Sequence, residues 1–267
     1  MDPDLIEAFA SSRQTLVVTG AGLGVASGLP TFRGSEPNAI WSEEVLERGT
    51  LRFFERDPLE SWLWYLDRFR MLEGAQPNAS HHALVRWELH AARFLLVTQN
   101  IDGLHRAAGS KAMVEVHGRA DRVRCTKPKC KNAAPKGTLP RPEEALAKLA
   151  RSKSDSDLPT CPTCGGLLRP HLLWFDERYD GHRAYRIDEV LRFAKHADTI
   201  LFAGTSFSVG VTDMIVDTGL RRGALMATID PSGRAPHRRV AVIVRPAEEA
   251  LPELVGALHD ATKTSSV

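Results

Sequence analysis

The chain has 267 residues, 43% of them hydrophobic, with 35 Lys and Arg against 33 Asp and Glu and a formal net charge of +2. That length can bury one large core, or a core plus a small module. The charge is too small to argue for a nucleic-acid partner, and no run of about 20 apolar residues is present for a transmembrane helix. The start Met1-Asp2-Pro3-Asp4 is acidic and has no apolar signal core, so a cytoplasmic protein in a reducing compartment is expected.

In chain order, residues 15–19 form an apolar run that reads as a buried strand ending in Gly20-Ala21-Gly22. Residues 35–78 hold no strand pattern but many aromatics, among them Trp41, Phe53, Phe54, Trp62, Trp64 and Tyr65, and read as a helical insertion. A helical pattern over 81–92 precedes a second strand at 94–98, which ends in Gln99-Asn100-Ile101-Asp102. A third strand, 113–117, stops at Gly118. Residues 119–170 are poor in apolar side chains and carry every cysteine. Further strands follow at 171–175, 199–203, 225–229 and 240–244, with a helical pattern at 187–196, and a tail from Lys263 that reads as loose. Near-continuous apolar strands alternating with helices predict a parallel sheet covered on both faces. That is the doubly wound α/β class, whose ligands sit at the carboxyl ends of the strands.

The four cysteines fall in two close pairs, Cys125 with Cys130 and Cys161 with Cys164. Four thiolates at about 2.3 Å complete a tetrahedral zinc site and leave no open position for water, so such a metal is structural. The 30 residues between the pairs include polar stretches that fit a surface insertion. Two disulfides, or four scattered buried thiols, are the alternative. If the metal is structural, the chemistry lies elsewhere.

The strand ends are the place to look. The run from Gly20 to Gly34 is rich in glycine and ends in Phe32-Arg33-Gly34. Its backbone can bend over a diphosphate, with Arg33 pairing with phosphate and Phe32 covering a ring; a surface ion pair is the plainer use of Arg33. Gln99, Asn100 and Asp102 can grip a hydroxylated or amide-bearing ligand, or simply cap the turn before His105. His117 ends a strand beside them and can take a proton near neutral pH, although a lone histidine is more often structural. Gly204-Thr205-Ser206 offers amides and hydroxyls to phosphate or ribose, or makes an ordinary strand-to-helix turn. Asp230 can accept both hydrogen bonds of a ribose diol, or form an Asp-Pro turn.

These runs, together with Ser27-Gly28-Leu29-Pro30-Thr31, Thr98 to His105, Glu115-Val116-His117-Gly118, Leu168-Arg169-Pro170-His171 through Phe175 and the two cysteine pairs, resemble the sirtuins in order and over most of the chain. The sirtuins are NAD-dependent protein-lysine deacylases, the class III enzymes. The resemblance implies a Rossmann-like parallel-sheet domain from residues 1–34, 79–118 and 171–267. It implies a small domain made of a helical module, 35–78, and a zinc-binding module, 119–170. NAD is then a consumed co-substrate, held by Gly20, Ala21, Gly22, Phe32, Arg33, Gln99, Asn100, Ile101, Asp102, Gly204, Thr205, Ser206 and Asp230. One structural zinc sits on Cys125, Cys130, Cys161 and Cys164. The acyl oxygen attacks the ribose as nicotinamide leaves, an O-alkylimidate forms, and His117 removes a proton from the ribose hydroxyls so that lysine and O-acyl-ADP-ribose are released. The partners implied are acylated-lysine proteins, which pair with residues 173–177, Leu173 and Phe175 among them, as an added strand. No nucleic acid, membrane or obligatory oligomer is implied.

Tyr65 and Arg68 lie three apart, so on a helix they share a face. They are similar to the Tyr-x-x-Arg pattern of the sirtuin branch that removes succinyl, malonyl and glutaryl groups. A guanidinium takes a terminal carboxylate through two parallel hydrogen bonds and a phenol adds a third, whereas acetyl-lysine offers no such charge. An ordinary amphipathic helix pairing Arg68 with Asp67 or Glu60 is the alternative. Thr31 agrees with that branch. Gly24 stands where serine is usual, Asp176 where glycine is usual, residues 207–213 depart from the small apolar pattern, and Asp230 replaces asparagine. Other readings of the same residues are an NAD glycohydrolase or ADP-ribosyltransferase, and a non-catalytic NAD sensor.

Overall fold

All five residues from Thr15 to Thr19 are buried, as a strand covered on both faces requires. The computed structural model describes residues 1–31 and 43–264, which leaves Phe32 and Arg33 outside the described residues. The elements of the first half are α1 (Pro3–Ala10), β1 (Thr15–Thr19), α2 (Glu43–Arg48), α3 (Leu51–Arg56), α4 (Pro58–Arg70), α5 (Ala79–His90), β2 (Phe94–Thr98), α6 (Leu104–Ala108) and β3 (Met113–Glu115). There follow β4 (Gly118–Cys125), β5 (Leu139–Pro140), α7 (Glu143–Ser152), β6 (Leu168–Leu172), α8 (Ile187–Ala194), β7 (Thr199–Ala203), α9 (Gly210–Arg222), β8 (Leu225–Ile229), β9 (Val240–Ile243) and α10 (Ala247–Thr264). Among the described residues no helix is long and apolar enough to cross a membrane.

Six strands form one sheet in the order β3-β2-β1-β7-β8-β9, and every pair in it is parallel. The strand order reverses between β1 and β7, where an open α/β sheet leaves a crevice. Period-two alternation divides the side chains between two layers. Val17, Leu96 and Leu201 join a core with α1, α5 and α10, while Leu16, Val18, Leu95, Val97, Ile200 and Phe202 join one with α8 and α9. This is the Rossmann-like domain expected.

One strand falls in a different sheet from the one its sequence suggests. Of the apolar run read as a strand at 171–175, only His171 and Leu172 lie in a strand, β6 (Leu168–Leu172), which pairs antiparallel with β4 in a three-stranded sheet of order β5-β4-β6. β6 is buried along its whole length because the small domain closes over it, whereas Phe175, at the end of the apolar run, is 46% exposed.

The small domain has its own core. Trp62, Trp64, Tyr65 and Phe69 of α4 meet Val123, Leu146, Leu149, Leu168 and Trp174, with Cys125 and Cys161 in the same cluster. A buried aromatic hides about 150–250 Å², roughly 4–6 kcal/mol at 25 cal/mol per Å² before entropy is offset. The exposed Asp67–Arg70 pair on the same helix adds about 0.5 kcal/mol, so the aromatics hold α4 in place. The Asp57 carboxylate, which accepts from the Glu60 amide at 2.9 Å, and Pro58 set its start.

Candidate active site and metal centre

The turns after β1 and β7 meet in the crevice. The Gly22 N–H donates to the Gly204 carbonyl at 2.9 Å. A Cβ at Gly20 would lie 2.7 Å from the Gly204 oxygen, and one at Gly22 would lie 2.8 Å from the Gly204 Cα. The glycines are therefore required by turn-against-turn packing, before any diphosphate is considered. Gly24, by contrast, leaves a Cβ 3.3 Å from the Leu29 side chain, so the small serine expected there needs only a slight shift.

The polar cluster after β2 ties these turns together. Gln99 Nε2 donates to the Thr19 carbonyl at 3.1 Å and to the Thr205 hydroxyl at 3.0 Å. Asn100 Nδ2 donates to the Gly20 carbonyl at 3.0 Å. Asp102 Oδ1 accepts from the Leu104 amide at 2.8 Å, capping the turn into α6. Burial raises the Asp102 carboxyl above its ordinary value, against the Leu104 amide and Arg106, which lower it. The side chains brace the turns, as the capping reading expects, and Gln99, Asn100 and Asp102 also line a cavity.

That cavity measures about 480 Å³. Around the strand ends it is lined by Ala21, Gln99, Asn100, Ile101, Asp102, His117, Ser206 and Ser208, and from the helical module by Val45, Trp64, Tyr65, Arg68, Phe69 and Leu72. Leu173, Trp174, Phe175, Glu177 and Tyr179 line it as well. Gly20, Gly22, Gly204, Thr205 and Asp230 are not among the lining residues. The Asp230 carboxylate accepts from the Ser232 amide at 2.7 Å and from the Ser232 hydroxyl, which is the turn named above.

His117 is partly buried, and burial pushes its imidazole down to about 4. The Gln99 carbonyl, 2.9 Å from Nδ1, can only accept, so Nδ1 carries the hydrogen and Nε2 presents its lone pair. Tyr179 Oη lies 3.1 Å from that Nε2. The sequence reading did not single out Tyr179, and nothing local marks it.

Arg68 is the one cation lining the cavity among the described residues. Its guanidinium carbon sits 3.4 Å from the Trp64 ring centroid, and Nη1 donates to the Trp64 carbonyl at 3.3 Å. The acids proposed as its alternative partners go elsewhere: Asp67 pairs with Arg70, and Glu60 with Arg48. Tyr65, 6% exposed, stacks on Trp174 at 6.0 Å between centroids. Burial pushes its phenol well above the usual tyrosine range, so it stays a neutral hydrogen-bond donor.

The segment expected to receive a substrate strand, 173–177, is a turn. The Leu173 amide donates to the His117 carbonyl at 2.9 Å and the Phe175 amide to the Gly49 carbonyl at 3.0 Å. The Trp174 amide donates to Glu177 Oε2 at 3.1 Å. Asp176 points away from the cavity and accepts from the Leu51 and Arg52 amides at 2.7 and 3.1 Å. The extra carboxylate thus caps α3 and fastens this turn to the helical module.

The cysteines converge. Their four Sγ atoms lie within 4.8 Å of one another, with Cys125 to Cys164 at 3.5 Å and Cys130 to Cys161 at 3.7 Å. Tetrahedral zinc with bonds of about 2.3 Å demands S–S separations of about 3.8 Å. The geometry fits one structural zinc and is too long for disulfides.

The Sir2 family model matches residues 20–211. An NAD-dependent protein deacylase of Aeropyrum pernix is 35% identical over 224 residues, covering 83% of this chain and 82% of its own. One of Leptospira interrogans serogroup Icterohaemorrhagiae serovar copenhageni is 34% identical over 247 residues, 91% and 92% of the two chains. A solved Sir2 homologue in complex with NAD superposes with a TM-score of 0.80 at 30% identity, covering 98% of this chain and 95% of that one.

Proposed function

This chain belongs to the Sir2 family of NAD-dependent protein deacylases, and we propose that it removes acyl groups ending in a carboxylate, succinyl or malonyl ahead of acetyl, from protein lysines. The observation that carries this is the meeting of Tyr65 and Arg68 with Asn100, Asp102 and His117 on the wall of one cavity. An acyl-lysine extended toward the helical module brings a terminal carboxylate to a guanidinium framed by Trp64, Tyr65 and Phe69. In those apolar surroundings a charge-assisted hydrogen bond is strengthened.

NAD supplies the ribose carbon that takes the acyl oxygen and, at the end, carries the acyl group away. The chain's own residues do the rest. Asn100 and Asp102 hold the nicotinamide end, and the turns at Gly20 to Gly22 and Gly204 to Ser206 hold the diphosphate. His117, with Nδ1 anchored on the Gln99 carbonyl, receives a ribose hydroxyl proton at Nε2. A bound diphosphate adds negative charge, which raises a buried imidazole toward the working range. The zinc thiolates, having no open coordination position, support the small domain and take no part in the reaction.

Incubating the protein with NAD and succinyl-, malonyl- and acetyl-lysine peptides, with products weighed by mass spectrometry, tests the reading. Free lysine with O-succinyl- or O-malonyl-ADP-ribose, formed faster than the acetyl product, is expected. Free ADP-ribose alone, or acetyl turnover that outruns both acidic groups, would sink it.

A further inference from the structure

The imidazole of His117 has one nitrogen able to accept a proton, and a side chain of this chain already faces it. Nδ1 carries its hydrogen toward the Gln99 carbonyl, so Nε2 holds a single lone pair. Tyr179 Oη stands 3.1 Å from Nε2, and a phenol has one hydrogen to give, so the bond runs from Tyr179 to His117. The two rings, 5.8 Å apart and tilted by 30°, are not stacked; they meet through the hydroxyl.

From this contact we infer that Tyr179 is a positioning residue for His117: its hydroxyl caps the Nε2 lone pair until a ribose hydroxyl of NAD displaces it. The inference rests on the reading of His117 as the base. Two donors cannot share one lone pair, so the hydroxyl whose proton is to be taken must come in along the line that Tyr179 occupies. Until then the cap keeps the ring in the right tautomer, neutral and aimed into the cavity.

The setting of Tyr179 suits a cap that yields. It opens a single-turn helix, Tyr179–Gly181, in which Asp180 and Gly181 are exposed, as is Arg178 just before it. Its ring passes Gly210 at the start of α9, where a Cβ would still have 3.9 Å of clearance. The Val211 amide, in the first turn of that helix, acts on its oxygen; a positive helix end there polarises the O–H toward His117. Among the described residues, Asp213 on α9 acts on Tyr179, and Arg68, Asp102 and Glu177 stand on the cavity wall.

The test uses the zinc-loaded protein and its Tyr179→Phe variant, which keeps the ring and removes the hydroxyl. An NMR titration of His117 without NAD reads the contact, and initial rates against NAD at saturating acyl-peptide read the competition. Losing a hydrogen bond donated to the neutral ring raises the His117 pKa by about half a unit or more, and losing the competitor lowers KM for NAD roughly three- to tenfold. An unchanged pKa together with an unchanged KM would overturn the inference. So would a tenfold fall in kcat at unchanged KM, because the phenol would then act in the chemical step. Turnover surviving in His117→Asn would remove the base reading alone, since the titration reports the Tyr179 contact without any chemistry.

Discussion

The carboxylate of Glu177 grips the guanidinium of Arg169 with both oxygens, each contact 2.8 Å long. Arg124 Nη2 reaches the same carboxylate at 2.5 Å, so one acid answers two buried cations, of which Arg124 is 4% and Arg169 3% exposed. Arg169 also lies 3.2 Å over the Trp174 ring that backs Tyr65. Burial pushes the Glu177 carboxyl up, but the Arg169 hydrogen bonds, the two guanidinium charges and the Trp174 amide outweigh it, and the net shift is downward. This ion cluster supports Trp174 and, through it, Tyr65 on the cavity wall.

Replacing Glu177 by Gln leaves two buried guanidiniums without a counter-charge. Stability falls by about 3–5 kcal/mol, the usual cost of removing one partner from a buried charge cluster. Urea unfolding of the two proteins measures it; a loss below about 1 kcal/mol would show that water reaches the arginines.

Arg68→Met removes the cation but keeps the length of the side chain. The kcat/KM on succinyl-lysine falls about 10- to 100-fold, the worth of a hydrogen-bonded charge, while the acetyl-lysine value falls far less. Equal losses on the two peptides would show that Arg68 is only structural. Tyr65→Phe gives a smaller loss in the same direction.

Acid destabilises this fold early. Burial holds His81 and His117 at about 4 and His105 at about 3, and lowers His171 to about 2 and His182 as well. In the unfolded chain each titrates near 6.5. As pH falls from about 6.5 toward 4 the unfolded state takes up protons that the native state refuses, and each such histidine removes up to about 1.4 kcal/mol per pH unit. Asp102 and Glu115, raised by burial, titrate in the opposite sense and offset part of this. Chemical denaturation between pH 7.5 and 4.5 is expected to show stability falling steeply below 6.5; a flat profile would contradict the burial of these rings.

Stripping zinc collapses the small domain. Cys125 and Cys161 share a core with Trp62, Trp64 and Tyr65, and Trp62 Nε1 donates to the Leu168 carbonyl at 2.8 Å. Chelation, followed by metal analysis, releases one zinc per chain, changes tryptophan fluorescence and abolishes deacylation. Metal-free protein that keeps its fluorescence and melting temperature would mean that the thiols need no ion. Structural zinc commonly supplies the folding energy of such modules.

Much of the site was legible because strand ends announce themselves. Gln99, Asn100, Asp102 and His117 are polar groups closing apolar runs, and packing alone gives no reason for them there. The cysteine spacing predicted the metal cluster, and the three-residue step from Tyr65 to Arg68 put both on one face of α4. What failed was pairing. The apolar run at 171–175 reads as one strand of the large parallel sheet, yet the strand found there, β6, ends at Leu172 and belongs to the small antiparallel sheet, because a local apolar pattern names neither the partner strand nor its direction. Asp176, which stands where glycine is usual, caps α3, a partner 125 residues away that the local sequence does not name.

Sequence by itself determined the classes of element, the ligands of the zinc and the residue types that chemistry at the cleft requires, since each depends on local periodicity or on donors spaced closely along the chain. Tertiary structure alone decided that Tyr179 faces His117 across a separation of 62 residues, that Gly20 and Gly22 are shaped by Gly204, and that Glu177 balances two arginines. Such contacts join segments far apart in the chain, so they come into being only when the sheets are assembled and the side chains have to share one volume.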